Sequence, residues 1–340
     1  MYFKCIIQGR LEFGTRNSYD KVIKMYDYRT ENYYRDIIIF KAEDIFLEDE
    51  LALSIPRHVS NVTEKSFRNT SSLIEYCAQF AVSGSVHAWQ IDEGNIMHYI
   101  VIEPGGDKAA VQSFIKGRDL VKEKGMESEA LLALSKAIEK YNRHAQAYER
   151  RAKVNFILKK YHDAKRDYGK SILIDPTIPT AYYGRGKILM LEENWTDAIQ
   201  DFEMTTKYAI ALQPVYWKAR RLKAQCHIKL KEWNKAEFDL RFYTKRSFEK
   251  EDPNFVWRRW AFYHYGLVLM ELGKYSDAIA AFDQSLVQVS TFGQIEDAQL
   301  YKWRGLAKHK AGKTGFAKDL KEASKLGDKQ ATTLLKELSS

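Results

Sequence analysis

Cysteine is scarce in this sequence. The three present, Cys5, Cys77 and Cys226, are far apart and odd in number. That excludes a disulfide framework or a cysteine-spaced zinc site and points to a reducing compartment. Proline is rare as well, 6 residues beside 18 glycines, which excludes collagen-like and proline-rich disordered chains. Long apolar runs are missing: none approaches the roughly 18 residues of a membrane span. The stretch Met1-Tyr-Phe-Lys-Cys-Ile-Ile-Gln-Gly-Arg10 turns polar too soon for a secretory leader, so the expected location is cytoplasmic. What remains is globular composition, 45% hydrophobic and 29% charged over 340 residues, enough for two domains or one elongated array.

Charge is unevenly placed. Residues 1–110 hold 12 Lys and Arg against 16 Asp and Glu, whereas the remainder holds 42 against 29. A mildly acidic first third is followed by a basic body. Such a field speeds encounter with acidic partners, peptide or nucleic acid, and does so less at high salt.

The basic body is repetitive. Tyr161-His-Asp-Ala164, Trp195-Thr-Asp-Ala198, Trp233-Asn-Lys-Ala236 and Tyr275-Ser-Asp-Ala278 share one phrase, and Thr314 and Ala317 echo it. Four residues past the first four alanines stand Tyr168, Phe202, Leu240 and Phe282; three further on are Ser171, Thr205, Tyr243 and Ser285. Upstream, small residues recur at Ala152, Gly186, Ala224, Gly266 and Gly305. The physical reading is a set of antiparallel helix pairs. Small residues let two backbones close, and aromatics fill the space between neighbouring pairs.

This pattern resembles the tetratricopeptide repeat (TPR) family, whose unit is a helix–turn–helix of about 34 residues. Unit starts fall at 111, 145, 179, 217, 259 and 298. The expected architecture is an all-α TPR solenoid of about six such units over residues 108–327. A capping helix over 328–340 follows Gly327 and seals the last unit with Ala331, Leu334, Leu335 and Leu338.

The first third, residues 1–107, reads as a small α+β domain, a mainly antiparallel sheet with a helix. Phe3, Cys5, Ile7, Leu11 and Phe13 alternate with Lys4, Gln8, Arg10 and Glu12, as in a half-buried strand. Residues 45–47 and 51–55 flank Glu48-Asp-Glu50, and residues 85–91 and 96–103 flank Asp92-Glu-Gly-Asn95; both read as hairpins. Phe67, Ile74, Cys77, Phe80 and Ala81 mark a helix between them, ending at Ser83-Gly84. Residues 18–36 fit helix or strand, and Glu103-Pro-Gly-Gly-Asp107 closes the domain.

No catalytic set emerges. Gly312-Lys-Thr314 lacks the glycine that a phosphate loop needs at Ala307 and reads as an interhelix turn. His87 and His98 across the second hairpin are two imidazoles, short of a metal site. Glu48, Asp49 and Glu50 read as a solvated turn. The expectation is a non-enzyme with no cofactor and no metal.

The resemblance implies that side chains at the second, fifth and ninth places of each unit point into a groove. These include Gln146, Glu149 and Lys153; Tyr183 and Lys187; Lys218, Arg221 and Gln225; Trp260 and Tyr263; and Lys302. Arg, Tyr and Trp often dominate binding energy, and this set suits an extended acidic and apolar segment. The expected function is therefore a protein-interaction scaffold or adaptor taking a protein or peptide ligand. The alternative is RNA binding by the basic array, with lysines on phosphates and Tyr183, Tyr263 and Trp260 stacking on bases. Solvated lysines and aromatics packed on the next helix are the bland reading of the same residues.

Overall fold

The computed structural model describes residues 2–106, 108–290 and 295–339. The expected boundary residue Asp107 and the last residue, Ser340, lie outside them. The chain forms two compact units, residues 1–185 and 186–340.

The first unit opens with β1 (Tyr2–Glu12), α1 (Arg16–Arg29), a π-helical turn at Thr30–Tyr34, and α2 (Ala42–Ile45). It continues through β2 (Phe46–Leu47), β3 (Ala52–Thr63), α3 (Glu64–Ala78), β4 (Ser83–Asp92) and β5 (Asn95–Ile102). The strands form one antiparallel sheet in the order β2-β3-β1-β4-β5. Both expected hairpins are present. The ambiguous stretch 18–36 is helical because Thr15 caps it through the Ser18 N–H and because Tyr19, Val22 and Tyr26 form one buried stripe. Those residues and Phe67, Leu73, Ile74 and Cys77 of α3 cover the sheet face that carries Cys5, Ile7, Leu11 and Leu53.

Two details differ from the sequence reading. The helix expected to run to Ser83-Gly84 ends at Ala78, and Ser83 already begins β4. Gly84, at φ +105°, passes so close to β1 that a Cβ would stand 2.1 Å from the Arg10 carbonyl oxygen. The glycine serves strand approach, not a helix end. Arg10 and Glu12, expected on a solvated face, are buried with each other. Arg10 donates to Glu12 at 2.7 Å and to Glu50 at 2.6 Å, and the Tyr141 hydroxyl donates to Glu12 at 2.9 Å. Burial of these two charges is compensated by pairing each of them.

Helix pairs follow: α4 (Ala109–Leu120), α5 (Glu127–Lys140), α6 (Ala145–Ile157), α7 (Tyr161–Ile174) and α8 (Pro179–Leu191), inside which the two units divide. The second unit adds α9 (Trp195–Tyr208), α10 (Pro214–Lys229), α11 (Trp233–Lys245), α12 (Arg258–Glu271) and α13 (Tyr275–Leu286). It ends with α14 (Asp297–Lys310), α15 (Phe316–Lys325) and α16 (Lys329–Ser339). Ala164, Ala198, Ala236 and Ala278 are fully buried, as their spacing requires. A Cβ on Gly266 would sit 2.5 Å from the Phe282 ring, so the small residue and the aromatic are one packing device. The sixth pair departs from the expected register. Ala317 is only half-buried, and Phe316, Leu320 and Ala323 carry the inward stripe at the +4 and +7 spacing. Helix α16 packs on it through Ala331, Leu334, Leu335 and Leu338.

Candidate functional site

In the second unit the first helices of the pairs are α10, α12 and α14. Along these helices cations and aromatic rings, buried or half-buried, are set against each other. The Arg221 guanidinium, 7% exposed, lies 3.8 Å from the Trp257 ring centroid and 5.5 Å from that of Trp260. Trp260 packs on His264 at 4.1 Å, and Tyr263 meets the same imidazole edge-on at 5.2 Å. Trp303 packs in the same cluster as Tyr263. A continuous aromatic band thus runs from Trp257, in the 3-10 turn before α12, to Trp303 on α14.

The electrostatics follow from burial. His264 is pushed down to about 4 by burial and by the Arg221 charge, so it is neutral at physiological pH. Tyr263, itself 7% exposed, is raised by burial. Lys302 donates to Asp328 at 2.9 Å and to Gln330 at 3.0 Å, which spends its charge on tying α14 to the start of α16. Lys218 and Gln225 are half-exposed on α10.

The expected groove residues therefore separate into kinds. Lys218, Arg221, Gln225, Trp260 and Tyr263 come from two neighbouring helices, with Arg221 and Tyr263 packed inward. Lys302 is internally paired. Lys187 is half-exposed on α8. In the first unit Lys153 is exposed on α6 and Tyr183 is half-buried on α8. Gln146 is not open: its side-chain oxygen accepts from the Gly84 N–H at 3.0 Å and its amide donates to Ser85 Oγ at 2.9 Å. Glu149 is buried beside Arg150. At that repeat, strand β4 occupies the face expected to hold a ligand.

Three members of the band, Trp257, His264 and Trp303, escaped sequence reasoning. Trp257 precedes its repeat, while His264 and Trp303 stand at sixth places, one turn from the positions taken to line the groove. A second regularity escaped too. Arg151 donates to Asp167 at 2.7 and 2.8 Å, Arg220 to Asp239 at 2.8 Å, and Arg304 to Asp319 at 2.6 and 2.8 Å. Each pair clamps the two helices of one hairpin. Its signal was the aspartate three residues past Ala164 and Ala236.

Among the described residues no group of three or more His, Cys, Asp and Glu is placed to hold a metal ion. No helix there is long and apolar enough to cross a membrane. His87 instead bonds the Tyr99 hydroxyl at 2.7 Å and stacks with Trp89.

The hairpin array has a counterpart among solved structures. YrrB, a TPR protein with an unusual peptide-binding site, is matched at 20% identity over 60% of this chain and 98% of its own, with a TM-score of 0.51. The helical array has the TPR fold. PilF of Pseudomonas aeruginosa is matched at 15% identity over 68% of this chain and 98% of its own, with a TM-score of 0.49. A TPR protein of Parabacteroides merdae ATCC 43184 is matched at 16% identity over 95% and 98%, with a TM-score of 0.40. No family model and no curated protein matches the sequence.

Proposed function

We propose that this protein is a non-enzymatic adaptor that holds an extended acidic and apolar peptide on the inner helices of its second unit, in a cytoplasmic setting. The domain frame of this reading is a sheet domain over 1–107, TPR hairpins over 108–327 and a closing helix over 328–340. The observation that carries it is the Arg221 guanidinium set against Trp257 and Trp260 beside the half-exposed Lys218. An indole band gives a peptide large, rigid contact area, and Lys218 gives its carboxylates a countercharge. Peptide binding in YrrB lends the reading precedent on the same fold. The three buried free cysteines fit a reducing compartment.

The test is fluorescence anisotropy of the full chain against acidic–apolar peptides, with single-stranded RNA as competitor. Lys218→Glu and Trp260→Ala are each expected to weaken peptide binding roughly tenfold or more while helix content is kept. Equal binding by both folded variants would remove the site. RNA that displaces the peptide with a steep salt dependence would replace the reading by nucleic-acid binding. Arg221 is unsuited to charge reversal, because a carboxylate there would be buried between indole rings.

A further inference from the structure

Helix α11 carries two phenylalanines in places that the rest of the array leaves to polar or small residues. Phe238 and Phe242, one turn apart, are 48 and 44% exposed, and their ring centroids lie 4.9 Å from each other. They stand one place before and three places after Asp239, whose partner Arg220 lies 5.8 and 5.0 Å from the two ring centroids. Covering that ion pair is one use for the rings, but the other clamps do without a cover. Around Asp167, held by Arg151, the same two places carry exposed Arg166 and Lys170. Around Asp319, held by Arg304, they carry Lys318 and Glu322. In α9 they carry Gln200 and Met204, and in α13 Ala280 and Gln284. Single exposed apolar residues are ordinary, whereas a contiguous aromatic pair in water marks a contact surface.

We propose that the exposed face of α11 docks an acidic amphipathic helix of a partner protein. Phe238, Arg241, Phe242 and Lys245 are all exposed and fall at i, i+3, i+4 and i+7, one stripe along the helix. A partner helix with apolar residues one turn apart matches that spacing. Charge selects an acidic one. The carboxylates around the stripe are already paired: Glu232 with Lys235, Glu237 with Lys274, Asp239 with Arg220, and Glu203 of α9 with Lys223. Arg241 and Lys245 make no ion pair among the described residues. At the place of Arg241, α9 and α13 carry Glu203 and Asp283 instead. The next acids along the chain, Glu249, Glu251 and Asp252, follow Phe248, which is buried against Trp217 and Tyr243. Geometry favours a peptide over a nucleic acid. The two rings are tilted by 53° against each other and do not form the flat platform on which successive bases stack. The face is also distinct from the Trp257–Trp303 band. Arg220, beside the phenylalanines, and Arg221, in the band, are consecutive on α10 and so point about 100° apart.

The test is fluorescence anisotropy of the full chain with a labelled helical peptide that carries leucines at i, i+4 and i+7 and glutamates on its other faces. An isomer with the leucines scattered round the helix is the control. The amphipathic peptide is expected to bind, and the isomer to bind roughly tenfold more weakly or less. Phe238→Gln/Phe242→Gln places at both sites a residue that α9 and α13 each tolerate at one of them. It is expected to raise the dissociation constant roughly tenfold or more with an unchanged thermal midpoint. Arg241→Ser/Lys245→Ser is expected to raise it as well and to flatten its salt dependence. Should the phenylalanine variant fail to fold, amide exchange of the parent decides: slowing by the peptide that is centred on α11 supports the site, and slowing elsewhere removes it. The readout does not depend on the Trp257–Trp303 band, so either surface can fail without the other. Absence of binding, equal binding of the isomer, or undiminished binding by the folded phenylalanine variant would each overturn the proposal. So would single-stranded RNA that displaces the peptide, or self-association of the parent that the phenylalanine variant abolishes, which would make the occupant a second copy.

Discussion

At the scale of single residues, burial decides which chemistry a side chain retains. His144 caps α6 by accepting from the Ala147 N–H through Nδ1, and burial pushes its imidazole down to about 3. The unfolded chain keeps a histidine near the ordinary value of about 6.5, so between these values only the unfolded state takes up the proton. Stability linked to this residue is therefore complete above about pH 6.5 and is lost as pH falls toward 3. His144→Asn keeps an acceptor for the cap and removes the titration. Urea denaturation of the variant is expected to show a flatter fall in stability between neutral and acid pH than the parent shows. An unchanged slope would mean that the imidazole is not held neutral. Gly266 makes a related point about legibility: its need for a small residue was readable from the repeat phrase, but its partner, the Phe282 ring, is fixed only by the pairing of α12 with α13.

At the scale of elements, the hairpins of the array are held by more than apolar packing. Asp239 is buried among Arg220 at 2.8 Å, Lys223 at 3.3 Å and His227, and burial pushes its carboxyl up against the pull of Lys223 and Arg220. Removing a buried ion costs more than its pair contributes, because the partner charges stay behind in a poor solvent. Asp239→Ala is expected to lower unfolding stability by roughly 3 kcal/mol, read as a lower denaturant midpoint with an unchanged slope. A loss well under 1 kcal/mol would place Arg220 and Lys223 effectively in water. These clamps also reinterpret the composition. Some of the arginines of the basic body face aspartates inside hairpins, as Arg151, Arg220 and Arg304 do; each such pair removes one charge of either sign, so the surplus is carried by other side chains.

At the scale of the molecule, the sheet domain is joined to the first repeats by a polar junction. Glu12 receives Arg10, Tyr141 and Arg143, and Gln146 of α6 bonds Gly84 and Ser85 of β4. A fragment beginning at residue 108 leaves Tyr141 and Gln146 without these partners. Amide hydrogen exchange in α5 and α6 is expected to be faster in that fragment than in the full chain, while α12 and α13 exchange alike in both. Equal protection of α5 and α6 in the two forms would mean that the junction adds nothing to the first repeats. The same junction limits where a ligand can lie, which is why the proposed peptide site is confined to the second unit.

By itself the sequence determined the TPR hairpins and both β-hairpins, because a helix pair that must close needs alanine or glycine at fixed offsets and a half-buried strand must alternate. Those constraints act within one element and leave a periodic trace. The tertiary structure alone decided that Arg10 and Glu12 are covered, that Gln146 is engaged by β4, that Lys302 is neutralised by Asp328, and that Trp257, His264 and Trp303 join Arg221 in one band. Each of these depends on which surface a neighbouring element covers, and no local pattern records the shape of that neighbour.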